Sequence, residues 1–143
     1  MHPNKACPVV VRGSGPARAI MAFRHPLSGC QLVKGTIERG ERAEEAAVRE
    51  LLEEAGIHGR VLRDLGLWQS GHNDQLWSFH LCQAATVLPD TWSHHCTDAG
   101  GHTFEFFWQP LYVPPADGWH PVHIAAMDYV RRSLSFSLNR SPV

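Results

Sequence analysis

The sequence predicts an α/β domain in which helices cover both faces of a mixed β-sheet. Short apolar or alternating segments typical of strands occupy both halves of the chain. A helix of about four turns separates them, and a second amphipathic helix follows the last strand. This order of elements favours helices layered on a sheet. A length of 143 residues suits a single domain over residues 1–143 with a buried core.

The first strands are predicted from two apolar runs. Cys7–Val11 is apolar and β-branched, and Ala17–Phe23 follows it across a glycine-rich turn. Arg24–Gly29 is expected to form a loop, and Cys30–Lys34 a strand that leads into the central helix. Arg24 is a candidate for substrate contact, although polar loop residues are more often only solvated.

The second half of the chain predicts further strands. Arg60–Trp68 loosely alternates, Asn73-Asp74 marks a turn, and Gln75–Ala84 is strand-like. Pro89–Gly101 is expected to form a polar loop. The aromatic segment Thr103–Leu111 is expected to form the last strand, ending at its proline.

The last predicted element is a core-facing helix. A proline stands near its first position, and apolar residues then recur at helical spacing. These residues are Val122, Ala125, Ala126, Tyr129, Val130 and Leu134.

Composition restricts the classes of partner. A formal net charge of −1 and a pI near 6.8 argue against a surface for long nucleic acids, whereas a nucleotide or small polyphosphate is compatible. No run approaches the roughly 18 apolar residues of a membrane span, and the first residues lack a secretory apolar segment. We therefore expect a cytoplasmic protein without a membrane partner.

The cysteines and histidines do not form a standard metal pattern. The four cysteines lack C-x-x-C spacing and are expected to be free thiols in a reducing compartment: Cys7, Cys30, Cys82 and Cys96. The cluster His94-His95-Cys96 with His102 could in principle ligate zinc, but its spacing matches no structural zinc site. A solvent-exposed loop is the better interpretation.

The most specific pattern is the segment Gly35–Ile57, with the sequence GTIERGERAEEAAVRELLEEAGI. Good helix formers fill Arg42–Ala55, and Gly56 stands where helices commonly end in a left-handed residue. At 100° per residue one arc of this helix is apolar and the roughly opposite side is acidic. The apolar set is Val48, Leu51, Leu52 and Ala55, and the acidic set is Glu50, Glu53 and Glu54.

Three glutamates on one helix face usually indicate a solvated surface. Here their placement is costly, because like charges repel at these spacings and the helix dipole favours cations in the last turns. Carboxylate oxygens suit Mg²⁺ or Mn²⁺, and magnesium is often held by a few carboxylates together with substrate phosphates. The sequence therefore favours a metal site, with Lys34 available to a phosphate.

The identities and spacing of Gly35, Glu41 and Arg49-Glu50-Leu51-Leu52-Glu53-Glu54-Ala55-Gly56-Ile57 resemble the Nudix box of the Nudix hydrolases at every fixed position. The resemblance implies the α/β/α sandwich with a mixed β-sheet of the Nudix fold. It also implies metal-dependent hydrolysis of a pyrophosphate bond in a nucleoside diphosphate linked to another moiety. The metal would be Mg²⁺ or Mn²⁺.

Roles for individual residues follow from the same resemblance. Glu53 and Glu54 are expected as the main metal ligands, and Glu50 as a further ligand or the general base. The backbone carbonyl of Lys34 is expected to complete the site. Arg49 is expected to support it as an ion-pair partner of Glu41. In several Nudix families a glutamate outside the box also reaches the metal, which makes Glu105 an alternative base.

The substrate is less well defined. Lys34-Gly35, Glu38 and Gly40-Glu41 are similar to the KGxxExGE form of dinucleoside polyphosphate hydrolases, although Val33 replaces their usual proline. A dinucleoside polyphosphate or a (d)NTP is therefore a possible substrate. ADP-ribose-cleaving relatives tend to carry a proline about sixteen residues past the box. The first proline after the box in this chain is Pro89, which weakens the ADP-ribose interpretation.

Two further questions are left open by the sequence. The alternative function is a Nudix module that binds nucleotide without hydrolysing it. Such modules commonly lose box carboxylates, which this chain keeps. Many relatives dimerise, so a homodimer is possible, but no exposed apolar segment identifies an interface.

Overall fold

The computed structural model describes residues 2–97 and 100–139, with side chains up to residue 135. Within these residues the chain forms nine strands, a short 3₁₀ turn at Gly15–Ala17 and two α-helices. The strands are β1 Lys5–Val9, β2 Val11–Arg12, β3 Ala19–His25, β4 Gly29–Gln31, β5 Gly35–Thr36, β6 Gly59–Gln69, β7 Leu76–Ala84, β8 Trp92–Cys96 and β9 His102–Pro110. The helices are α1 Ala43–Ala55 and α2 Pro121–Asn139.

The strands divide between two sheets. The first has the order β5-β1-β7-β6 and is mixed, because β1 and β7 run parallel. The second has the order β2-β3-β9-β8, with β4 also paired to β3. The chain changes sheets at Val10, which separates β1 from β2, so the expected strand Cys7–Val11 is two strands.

The helices lie on opposite sides of β1, as the predicted fold class requires. Cys7 and Val9 of this strand belong to a core cluster with α2, whereas Ala6 packs with Ala46 and Ala47 of α1. Successive residues of a strand point to opposite faces, so β1 separates two apolar layers. The α/β class with helices on both faces is confirmed, and one mixed sheet is replaced by two sheets.

The central helix agrees with its prediction to within one residue. Glu45 Oε1 accepts a hydrogen bond from the Arg42 backbone N–H at 2.9 Å, which helps to satisfy the helix start. Gly56 ends the helix with φ of 72°, a left-handed conformation that glycine adopts without steric cost. The predicted apolar arc was partly wrong, because Leu52 is 41% exposed while Glu50 is buried.

The segment before α1 crosses from one sheet to the other. The expected strand Cys30–Lys34 is replaced by β4, which pairs with β3, and β5, which pairs with β1. Leu32–Lys34 joins them outside any strand. The Leu32 backbone N–H donates to Nδ1 of the buried His123 at 3.0 Å, so α2 holds this crossing segment.

A strand, β8, replaces part of the polar loop expected at Pro89–Gly101. It pairs with β9 along its whole length. Trp92 stacks on Phe106 with ring centroids 5.0 Å apart, and Cys96 is buried, whereas the intervening Ser93 and His95 are exposed. The loop prediction failed because polar residues occupy the outward positions and His94 an inward one.

Other predictions are confirmed. The strand near Arg60–Trp68 is β6, the turn at Asn73-Asp74 has φ of 50° and 55°, and Gln75–Ala84 corresponds to β7. The four cysteines are free and buried. Ala126, Val130 and Leu134 of α2 are buried, although Ala125 is exposed. In the described part of the chain, neither helix has the length and apolar character needed to cross a bilayer.

Candidate active site

The acidic end of α1 faces a cavity of about 490 Å³ beside the short edge strand β5. Three cationic side chains line the cavity: Lys5, Lys34 and Arg49. Four carboxylates line it as well: Glu38, Glu50, Glu53 and Glu54. Two other clefts of similar volume have mainly apolar walls and lack this density of charge. The cavity therefore unites the predicted Lys34, Arg49 and acidic residues of α1.

Arg49 organises the carboxylates. Its Nε and Nη2 donate to the two carboxylate oxygens of Glu41 at 2.8 and 2.9 Å, a bidentate pair. Its Nη1 donates to Glu50 Oε1 at 2.7 Å and to Glu53 Oε2 at 3.0 Å. Hydrogen bonding from Arg49 lowers the pKa of Glu41 to about 2. One guanidinium thus fixes the positions of the Glu41, Glu50 and Glu53 carboxylates. Arg49 and Glu41 form the ion pair that was predicted from the sequence.

Glu50 is the most enclosed of these carboxylates, with 7% of its side chain exposed. It packs against the backbone of Gly35, where an added Cβ would lie 1.9 Å from Glu50 Cδ. The glycine at this position therefore makes room for the carboxylate. This close approach explains why a glutamate can be buried on a helix face that periodicity predicts to be polar.

Two lysines line the same cavity as Arg49. Lys5 Nζ donates to Thr36 Oγ1 at 2.7 Å. Lys34 Nζ lies 5.2 Å from the ring centroid of Trp77. Burial, and secondarily the charge of Lys5, lowers the pKa of Lys34, while Glu54 acts in the opposite direction. Lys5 was not predicted as a site residue, because its place in this cavity depends on the pairing of β1 with β5.

Glu105 and Arg24, two other predicted site residues, lie outside this cavity. Phe104 and Phe106, the strand neighbours of Glu105, pack in the same cluster as Leu51 of α1. Alternation along β9 therefore directs Glu105 to the sheet face away from the helix, where it accepts a hydrogen bond from Ser93 Oγ at 2.5 Å. This geometry corrects the expectation that Glu105 reaches the acidic cluster.

Arg24 belongs to β3 instead of the loop expected at that position. Its Cα is paired with those of Cys30 and Glu105 on the neighbouring strands. The guanidinium carbon lies 5.5 Å from the ring centroid of Phe107. Arg24 is therefore on the same sheet face as Glu105, and the structure does not bring it to the carboxylates of α1.

Side chains of β8 satisfy the last carbonyl groups of α1. Trp92 Nε1 donates to the Ala55 carbonyl oxygen at 3.1 Å, and His94 Nε2 lies 3.0 Å from the Glu53 carbonyl oxygen. Helix ends leave such carbonyls without partners inside the helix. The strand that sequence analysis missed therefore fixes the turn that carries two of the predicted metal ligands.

Comparison with known proteins identifies the family. Residues 2–125, most of the chain, match the NUDIX domain family. The chain belongs to the NUDIX domain family. This NUDIX domain is 35% identical over 75 residues to an ADP-ribose pyrophosphatase of Methanocaldococcus jannaschii, covering 52% of this chain and 44% of the relative. The match thus spans less than half the length of that relative.

Solved structures share the fold of this NUDIX domain at low sequence identity. An ADP-ribose pyrophosphatase from Streptococcus suis aligns with a TM-score of 0.62 and 15% identity, covering 97% of this chain and 92% of the other. A UDP-X diphosphatase aligns with a TM-score of 0.67 and 12% identity, covering 96% and 65%. The Nudix fold predicted from the sequence is confirmed.

The cavity of this NUDIX domain has the donor chemistry of a site for a hard divalent cation. Its carboxylate oxygens, together with water and substrate phosphate, are the ligands that Mg²⁺ and Mn²⁺ prefer. Among the described residues, no three His, Cys, Asp or Glu side chains converge closely enough to hold a metal by themselves. Glu50 and Glu53 bond to Arg49 instead. The residues fit a cation whose remaining ligands come from water and substrate.

Proposed function

We propose that this protein hydrolyses a pyrophosphate bond in a nucleoside diphosphate linked to a second moiety. The observation that carries the proposal is a single cavity lined both by carboxylates of one helix and by two lysines. Carboxylates suit a divalent cation, and ammonium groups suit phosphate oxygens. The named activity of the Methanocaldococcus jannaschii relative supports the same reaction class.

Glu53 and Glu54 are proposed as the main ligands of Mg²⁺ or Mn²⁺, with Glu50 and the Lys34 carbonyl as further candidates. When bound, the cation would neutralise phosphate oxygens and lower the pKa of a coordinated water. The position of Glu53 and Glu54 supports this role, because the carboxyl end of a helix is unfavourable for negative charge. Arg49 offsets part of that cost through its ion pair with Glu53, and a divalent cation would offset more of it.

Glu50 is proposed as the general base in preference to Glu105. It is buried within the cavity and oriented by Arg49, whereas Glu105 lies on the opposite sheet face. Glu50 would accept a proton from the attacking water while the water oxygen bonds to phosphorus and the P–O anhydride bond breaks. The products would be a nucleoside monophosphate and the phosphorylated second moiety.

A substrate panel tests the reaction class and the identity of the second moiety. ADP-ribose, a UDP-sugar, a dinucleoside polyphosphate and the dNTPs would be incubated with Mg²⁺ or Mn²⁺, and products separated by anion-exchange chromatography. We expect turnover of at least one of them and none in EDTA. ADP-ribose is tested first because the Methanocaldococcus jannaschii relative is named for its hydrolysis. The absence of a proline about sixteen residues past the box argues against this substrate, so the result decides between the two indications. Absence of turnover with every compound and both metals would contradict the proposal.

Gly35→Ala tests whether Glu50 must occupy its observed position. The added methyl group would overlap Glu50 Cδ, so the carboxylate must move within the cavity. We expect kcat to fall about tenfold, because small misplacements of catalytic groups are costly. Steady-state kinetics with the best substrate of the panel would measure the change.

A double-mutant comparison provides the control for Gly35→Ala. In a Glu50→Ala background the space for the methyl group already exists, so Gly35→Ala should cause little additional loss of kcat. Equal losses in both backgrounds would show that Gly35 acts independently of Glu50.

A further inference from the structure

The chain contains only two lysines, and both line the cavity. Lys5 and Lys34 account for two of the thirteen basic residues, and the other eleven are arginines. The two lysines are far apart in sequence. The pairing of Lys5 of β1 with Thr36 of β5 brings Lys5 to the cavity that Lys34 also lines. An ammonium group is a compact point charge with three rotatable donors, whereas arginine presents a wide planar fork.

The positions of the two lysines are also related through Trp77 of β7. Lys5 is also paired in parallel register with Trp77, the ring above which the Lys34 ammonium lies at 5.2 Å. Lys34 is partly buried there. The bond from Lys5 ends on the neutral Thr36 hydroxyl, so it does not neutralise the ammonium charge. Two ammonium groups that line one cavity make it favourable for an anion such as phosphate.

We propose that Lys5 and Lys34 together bind the phosphate chain of the substrate, and that Lys5 contributes directly to its affinity. The inference rests on the proposed function, because the phosphate chain is that of a nucleoside diphosphate derivative. Carboxylates of α1, with their cation, would contact the same phosphate chain within this cavity. Lys5 is therefore a substrate-binding residue supplied by β1, far in sequence from the box.

Reductive methylation with ¹³C-formaldehyde gives a direct binding readout, because it labels only these two lysines and the α-amino group. Dimethyl-lysine keeps its positive charge, and Lys5→Arg and Lys34→Arg would assign the signals. The probe is inorganic pyrophosphate in EDTA, with sodium chloride at matched ionic strength as control. We expect both lysine signals to shift along one saturation curve. A Lys5 signal that does not move while pyrophosphate saturates Lys34, or two unmoved signals, would overturn the proposal.

Steady-state kinetics distinguish phosphate binding by Lys5 from a purely structural role of Lys5 in stabilising β5. Lys5→Gln should raise KM about tenfold with kcat changed less than threefold, because a charge-assisted hydrogen bond is lost. Lys5→Arg should recover part of the loss. Arg60→Gln removes the same charge from β6, at the opposite edge of the sheet, and should leave KM unchanged.

Thr36→Val tests the alternative that Lys5 only stabilises β5 through its hydrogen bond to Thr36. It removes the acceptor of the Lys5 hydrogen bond but keeps the ammonium group, so it should raise KM less than Lys5→Gln does. An equal rise would show that Lys5 only braces β5 and would overturn the inference. If the wild-type protein hydrolyses no compound of the panel, the proposed function fails, while the pyrophosphate titration still decides the role of the lysines.

Discussion

Replacing Glu53 or Glu54 by glutamine should lower kcat at least a hundredfold while the protein stays folded. Glutamine keeps the size of the side chain but removes the charge that would hold a divalent cation. Both residues line the cavity, and both stand in the last turn of a helix whose dipole disfavours negative charge. Loss of one charge relieves that cost but weakens the attraction to Arg49 or to Lys34, so the melting temperature should change little.

Glu44→Gln is the matched control for these two variants. Glu44 lies on the same helix, in its first turn, and pairs with Arg42 outside the cavity. The substitution removes one carboxylate charge from α1 and should leave kcat within about twofold, as expected for an exposed ion pair. Near-normal turnover by Glu53→Gln or Glu54→Gln would exclude that residue as a metal ligand.

Acidification should destabilise the protein through His123. This imidazole is buried, and its Nδ1 accepts a hydrogen bond from the Leu32 backbone, which requires the neutral form. Burial, followed by the charges of Lys34 and His120, lowers the pKa of His123 from 6.5 to about 3. His123 is therefore protonated below about pH 6.5 in the unfolded chain but only below about pH 3 in the folded chain.

The sign and size of this effect follow from linkage. The stability contributed by neutral His123 is complete above pH 6.5 and is lost as the pH falls from 6.5 towards 3. The full shift corresponds to about 5 kcal/mol, of which about 2 kcal/mol would be lost by pH 5. Urea unfolding at pH 7.5 and pH 5 measures the change in the free energy of unfolding.

His123→Asn isolates this contribution from that of other histidines. The Asn Oδ1 can accept the Leu32 hydrogen bond in place of Nδ1 and does not titrate. We expect the variant to be less stable than the wild type at pH 7.5, and the difference to shrink by about 2 kcal/mol at pH 5. Parallel pH dependence of the two proteins would contradict the assigned role of His123.

Local patterns were sufficient to predict α1. Helix formers over Arg42–Ala55 and the glycine at position 56 act within a few residues, and the helix forms within one residue of its prediction. The acidic cluster followed from helical spacing for the same reason. The burial of Glu50 could not be predicted from helical spacing, because it depends on the close approach of Gly35, which belongs to a different element.

The features that sequence analysis missed depend on contacts between distant segments. Trp92–Cys96 becomes a strand through its pairing with β9, although its own residues suggest a polar loop. Glu105 was correctly assigned to a strand, but the packing of Phe104 and Phe106 decides which face it occupies. Lys5 joins the cavity only through the pairing of β1 with β5.

Binding of Mn²⁺, followed by the loss of its free-ion EPR signal, tests the central claim most directly. Titrations would use the wild-type protein and the variant with both Glu53→Gln and Glu54→Gln, each without nucleotide because ADP itself binds Mn²⁺. We predict saturable binding by the wild type and at least tenfold weaker binding by the double variant, because two hard ligands are lost. Equal affinity in the two proteins would contradict the claim that the acidic end of α1 holds a divalent cation.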